Sequence, residues 1–257
     1  MPSLCFPKSL SATVALLLFS SALSLPSLAN ETNNIRQGLP GRRISGGVRL
    51  NPTDSCFSDF NQSLVAVIPR SNLGKTTAAR PTFWFSMPET NGSKVGEFQL
   101  FNNAEEMVFS THLTVADNLG LSEFQLPETA PELAMNENYR WVFSVACTAT
   151  TGIGRADTPA LGLQGWVRRV DSPAGLAPQL STASIEEQVS LYAAAGLWHE
   201  QITTLMNLRR NNPGNMNLQL AWASLLQANG LTRHTSHNIS EAMLVTEPTE
   251  LLTSRER

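Results

Sequence analysis

Between Ser63 and Val170 the chain falls into short apolar runs separated by turn residues, and from Ser184 its apolar residues recur at helical spacing. A period of two suits a strand and a period near 3.6 suits a helix, so this switch requires a β part followed by an α part. Seven runs carry the first pattern: Ser63–Pro69, Pro81–Met87, Val95–Phe101, Met107–Val115, Leu119–Leu126, Tyr139–Cys147 and Leu161–Val170. Phe98 and Leu100 alternate with Glu97 and Gln99, and Tyr139, Trp141 and Phe143 alternate with Arg140, Val142 and Ser144. Asn91-Gly92 and the Pro127–Pro131 stretch punctuate turns. Short strands without intervening helices predict a mainly β domain, an antiparallel β-sandwich of about seven strands, over residues 54–170.

Residues 171–183 (DSPAGLAPQLSTA) read as a linker. Ser184-Ile185-Glu186-Glu187 is a capping box, in which Ser and Glu satisfy each other's backbone N–H groups at a helix start. Ile185, Val189, Tyr192 and Ala195 follow on one face until Gly196. A second helix carries Trp198, Ile202, Leu205 and Leu208 and stops before Pro213. A third carries Leu218, Ala221, Trp222 and Leu225 and stops at Gly230. Ala194–Leu197 and Ala228–Leu231 lie 34 residues apart, with Leu191 and Leu225 in the same register, and Gly196 precedes Pro213 by 17. Thirty-four is the tetratricopeptide period. Residues 184–231 are therefore expected to form a small α-helical, tetratricopeptide-like segment of one degenerate repeat and the first helix of another. Gln201 and Val189 stand where that repeat has small residues, and a plain three-helix cap fits the same spacing. So few helices cannot stand alone as a solenoid and must pack on the β domain. The polar tail, 232–257, is expected to lack fixed structure.

The N-terminus reads as a secretory signal peptide, residues 1–29. Lys8 supplies the positive flank, Leu10–Leu25 an uncharged Leu-rich core, and Ser27-Leu28-Ala29 the small residues of a cleavage site. Sixteen residues diluted by Ser and Thr and stopped by Pro26 fall short of the ~20 that span a bilayer. No later stretch is suited to a membrane span, so the mature chain is expected in the periplasm, at the cell surface or outside the cell. Cleavage removes Cys5. Cys56 and Cys147 then have only each other in an oxidising compartment, which predicts one disulfide. It closes a loop of about 90 residues, for which chain entropy gives on the order of 4 kcal/mol. Two buried thiols are the alternative.

Residues 30–53 form a Gly/Arg-rich arm with Arg36, Arg42, Arg43 and Arg49 and no acid between Glu31 and Asp54. Arginine grips carboxylate or phosphate bidentately, so Arg42, Arg43 and Arg49 are candidate contacts for an acidic polysaccharide, an anionic headgroup or an acidic protein. A solvated arm, or one docked on its own domain, is the alternative. If Phe83 and Phe85 are core, Trp84 faces the other way, where it can stack on a sugar ring or lie beneath the helices with Trp198 and Trp222. Leu73–Thr77 imitates the end of a phosphate-binding loop, but Pro69 stands where its first Gly belongs. His234 and His237 supply two ligands and no closed metal site, and His112 reads as structural.

A formal charge of −3 argues against a nucleic-acid partner. No Gly-x-Ser-x-Gly elbow occurs. Glu97, Glu105 and Glu106 lie near predicted turns, from which a glycosidase-like pair could be assembled in space. No cofactor, metal or catalytic constellation is expected. These features point to an exported, non-enzymatic binding module for an envelope protein or polymer. A glycan-directed hydrolase and a structural or assembly component of the envelope are the alternatives.

Gly38–Arg43 (GLPGRR), Thr76–Phe85 (TTAARPTFWF), Tyr139–Cys147, Gly165–Val170 (GWVRRV), Tyr192–Trp198 (YAAAGLW) and Trp222–Leu226 (WASLL) follow one another over roughly 190 residues. With these stretches the chain, to about Leu231, resembles the domain of unknown function 928 family found in cyanobacteria. The resemblance implies an exported cyanobacterial protein and brings no catalytic residue with it.

Overall fold

The computed structural model describes residues 38–45, 63–88, 94–115, 120–147, 160–232, 240–243 and 245–246. All of them belong to one compact unit, Arg36–Arg257. The strands are β1 (Val65–Ala66), β2 (Leu73–Thr76), β3 (Thr82–Met87), β4 (Lys94–Phe101) and β5 (Met107–Thr114). They continue with β6 (Gly120–Gln125), β7 (Asn138–Cys147), β8 (Ala160–Arg169), β9 (Ser240–Met243) and β10 (Val245–Thr246). Four helices lie between β8 and β9: α1 (Leu176–Thr182), α2 (Ile185–Ala194), α3 (Trp198–Asn211) and α4 (Met216–Ala228).

The strands form two sheets, one of four in the order β1-β3-β6-β9 and one of six in the order β10-β5-β4-β7-β8-β2. Alternation puts Tyr139, Trp141, Phe143 and Val145 of β7 on the inner face, beside Phe98 and Leu100 of β4. Facing them across the core are Phe83 and Phe85 of β3 and Phe124 of β6. The rings meet directly: Phe85 and Phe143 lie 4.2 Å apart in a stacked pair, and Phe98 lies 4.6 Å from Phe124. Such offset and tilted aromatic pairs add to what area burial alone provides.

The four-stranded sheet is apolar on its outer face as well. Val65, Val67, Trp84 and Leu121 cluster there with Ile202, Leu205, Met206 and Trp222 of α3 and α4. Helices therefore cover one outer face of the β layers. The capping box forms as the sequence requires, with Glu187 N–H donating to Ser184 Oγ and Ser184 N–H donating to Glu187 Oε2 at 2.7 Å. Gly196 and Gly230 adopt φ of 69° and 68°. After each, a leucine N–H reaches back five residues, Leu197 to Tyr192 O and Leu231 to Leu226 O, both at 2.9 Å. These are two copies of one Gly-terminated helix end.

Several expectations change. Pairing is not uniformly antiparallel, because β2 runs parallel to β8 and β9 parallel to β6. β2 falls in the phosphate-loop imitation, a four-residue strand too short to register as a run. The expected linker 171–183 contains α1, which places Pro178 in its first turn, where a missing N–H costs little. Part of the expected structureless tail is β9 and β10, which extend the exposed edges of β6 and β5. Part of the arm, 38–45, is likewise built in. Arg42 bridges Gln164 of β8, and Ile44 bridges Val65 of β1. The two terminal segments thus lace the sheets together along opposite edges. The signal peptide, residues 1–29, and Cys56 lie outside the described residues.

Gly165 is needed for core packing. A Cβ there would stand 2.7 Å from Ile68 Cδ1 and 2.9 Å from Trp141 Cε2, whereas one on Gly162 meets nothing within 4 Å. Gly165→Ala is expected to lower stability by roughly 1–3 kcal/mol in denaturant unfolding. Gly162→Ala, in the same strand, should leave it unchanged or slightly raised.

Candidate functional site

The outer face of the six-stranded sheet is left uncovered by the helices. Register sets its side chains in rows. One row runs Gln164, Val142, Gln99, Ser110, and Arg42 extends it through its bridge to Gln164. The next runs Leu73, Trp166, Arg140, Phe101, and a third Lys75, Arg168, Asn138. These residues alternate with the buried ones, so every second side chain of β7 and β8 faces outward. Trp166 is held in place by its indole N–H, which donates to Pro40 O at 2.7 Å. Gly41, beside it, permits this approach of the strap, since a Cβ there would lie 2.8 Å from Gln164 O.

The carboxylates of this face are already engaged. Glu97 Oε1 accepts from Gln99 at 2.8 Å and from Ser110 Oγ at 3.2 Å. Glu105 accepts from Arg140 Nε at 2.8 Å, a bond that holds its carboxyl below the usual value. The Arg140 guanidinium also lies 4.0 Å above the Phe101 ring. Glu106 accepts from Asn102 at 2.8 Å. His112 stands exposed on β5, opposite Glu97.

The structure separates the sequence candidates. Arg42 is exposed on the open face. Arg43, next to it, turns the other way and donates to Asn229 O at 2.9 Å, at the C-terminal end of α4. Burial, and then the nearby Arg70, pushes its guanidinium below the usual value. Arg43 therefore ties the 38–45 strap to the helices, where a cation also meets the negative end of the helix dipole. Trp84 is 3% exposed, and its indole N–H donates to Thr203 Oγ1 at 3.2 Å. Packed beneath α3, it has no surface to offer a sugar. Cys147 is buried at the end of β7. Its expected partner Cys56, with Arg36, Arg49, His234 and His237, lies outside the described residues.

Sequence reasoning missed a polar plug at the start of α3. His199 is 5% exposed, with its Nδ1 2.8 Å from Thr82 O and its ring 5.2 Å from Phe83. A carbonyl only accepts, so Nδ1 carries the proton that faces Thr82 O, while Nε2 lies buried without a partner. Gly74 makes room for that nitrogen, since a Cβ there would lie 2.5 Å from it. Glu200 Oε1 accepts from Thr76 Oγ1 and Thr77 N–H, both at 2.7 Å, and from Thr77 Oγ1 at 3.0 Å. The stretch that imitates a phosphate loop does hold an anionic oxygen, and it belongs to the protein itself. Glu200 stands in the first turn of α3 and Leu197 makes no side-chain cap bond, so local pattern gave no reason to single it out.

Among the described residues no three His, Cys, Asp or Glu side chains gather as metal ligands, and no helix is long and apolar enough to cross a membrane. The crevice beside His199, lined by Phe83, Trp141 and Trp198, is too tight for a water molecule. The chemistry of this junction is cohesion between layers. Burial pushes the His199 imidazole below its ordinary value of 6.5, against the opposing pull of Thr82 O and Glu200. The unfolded chain therefore takes up the proton first, and stability is complete above about pH 6.5 and falls below it. Thermal unfolding should show a midpoint that drops between pH 7.5 and 5.5. In His199→Gln, which keeps a donor for Thr82 O, that dependence should flatten.

None of the curated proteins matches this chain. Residues 44–239, which carry β1 to β8 and the helices α1 to α4, match the family described as Domain of Unknown Function (DUF928), and the chain belongs to that family.

Proposed function

We propose that the chain is an exported, non-enzymatic binding module whose uncovered sheet face engages an envelope protein or polymer. The observation that carries this reading is the unequal treatment of the two outer faces. The four-stranded sheet is sealed by helices, while the six-stranded sheet presents a broad surface of ordered polar and aromatic rows. A broad face of this kind suits an extended partner better than a small molecule, which favours a concave pocket. Export rests on the Leu-rich segment and the small residues before Asn30. A Cys56–Cys147 bridge in a β-sandwich fits the same compartment.

The helices read as one degenerate tetratricopeptide repeat and half of another. Their two Gly-terminated ends, 34 residues apart and closed by the same backbone bond, support that reading. It brings a second possibility, a peptide docked on the helices, which one observation favours: Met216 and Leu220, one turn apart on α4, are 63% and 59% exposed.

Co-sedimentation with isolated envelope fragments separates the two. The pair Ser110→Arg and His112→Glu on the open face should reduce retention at least tenfold. Met216→Glu with Leu220→Glu should leave it unchanged. Loss of retention only in the α4 pair moves the binding surface to the helices, and no retention of the wild-type chain rejects the binding module.

A further inference from the structure

One end of the open face has a chemistry of its own. Trp166 stands in the outer row, with Arg42 beside its neighbour Gln164 on one side and the Lys75–Arg168 pair on the other. From the level of Gln164 to that of Arg168 is four residues of one strand, or about 13 Å. Arg42 and Lys75 are exposed, and neither has a side-chain partner among the described residues. Of the acids at its borders, Glu105 pairs with Arg140 and Asp171 accepts from Asn136, while Glu137, beside Asn138, is exposed. A chain of net charge −3 thus places three cations around one indole.

A second observation narrows the ligand. Asn138 and Arg168 face each other in register between β7 and β8. Asn138 Oδ1 and Arg168 Nε are both buried and both without a hydrogen-bond partner. An acceptor and a donor left open side by side match a hydroxyl group, which donates to one and accepts from the other. Leaving them unsatisfied costs free energy that a hydroxyl entering as the Arg168 guanidinium lifts would recover. An indole face is suited to stack on the apolar face of a sugar ring, and the flanking cations are suited to its carboxylates or sulfates.

We propose that the Arg42–Trp166–Lys75–Arg168 patch binds an acidic polysaccharide, a hydroxylated polymer bearing carboxylate or sulfate groups. This rests on the reading of the open face as a binding surface and assigns its ligand class. A phosphopeptide or an anionic membrane offers the charge but not the neighbouring ring hydroxyls.

The test uses the purified full chain against immobilised polygalacturonate, dextran sulfate and neutral dextran, and against vesicles of phosphatidylglycerol. Binding is expected to one or both acidic polymers and not to dextran, weakening as salt screens the cations. Arg42→Gln and Lys75→Gln should each weaken it about tenfold. Trp166→Ala should weaken it comparably even at low salt. Arg210→Gln, on the helix-covered side, should leave it unchanged. Circular dichroism and unfolding midpoints identify any variant that has failed to fold, and Trp166→Phe then replaces Trp166→Ala. Binding to vesicles alone, binding to neither polymer, or equal binding by the Arg42 and Lys75 variants overturns the assignment. If envelope fragments are still retained through the open face, the binding-module reading survives that failure.

Discussion

The four-stranded sheet is apolar on both faces, and the rest of the molecule is arranged around that constraint. Phe83 and Phe85 point into the inter-sheet core, while Trp84 between them points out. An exposed row of Val65, Val67, Trp84 and Leu121 would be an aggregation surface. The helices remove it. Their own apolar faces are too small to stand alone, so each layer supplies what the other lacks. The six-stranded sheet packs one apolar face into the core, and the helices leave its other side uncovered.

Contacts that hold the helices against the sheets are polar at the edges and apolar in the middle. Trp198 donates to Val67 O at 2.9 Å, and Arg43 donates to the end of α4. At the opposite rim Glu200 is gripped by hydroxyls and an N–H group at the end of β2, from Thr76 and Thr77. Bonds to a charged acceptor are worth more than neutral ones, and this cluster fixes the start of α3 where no side chain caps it. Gly74 and the missing Cβ opposite His199 belong to the same joint. Much of what looked like ligand chemistry in the sequence, the phosphate-loop imitation and Arg43 of the arginine arm, is spent on internal docking.

What was legible in the sequence was what periodicity encodes. Alternation in Tyr139–Cys147 and in Phe83–Phe85 placed side chains on the correct faces, because a strand leaves no other choice. The capping box and the Gly stops located α2 and α4 for the same local reason. Pairing between distant segments was not legible. β2 has four residues, one of them Gly and one Lys, and becomes a strand only because the edge of β8 is there to receive it. β9 and β10 owe their conformation to the edges of β6 and β5 in the same way. Arg43 and Arg42 are identical and adjacent, so composition could not separate the one that docks the helices from the one on the open face. Backbone bridging at Arg42 makes that distinction.

The bridge has a consequence for the open face as well. A free arm would hold its arginines at the end of a disordered chain, and a ligand would meet the entropy cost of ordering them. Paired to Gln164, Arg42 is fixed in the same rigid surface as Trp166, and Lys75 is fixed by the pairing of β2 with β8. The arm and the short strand β2 therefore add Arg42 and Lys75 to the Arg168 that strand β8 already presents. Preorganisation of that kind lowers the cost of binding without adding a contact. It also explains why the glycines of the strap matter. Gly38 and Gly41 let backbone lie against Ser71 and Gln164 at distances a Cβ would forbid, so substituting either would release Arg42 from the face it shares with the indole.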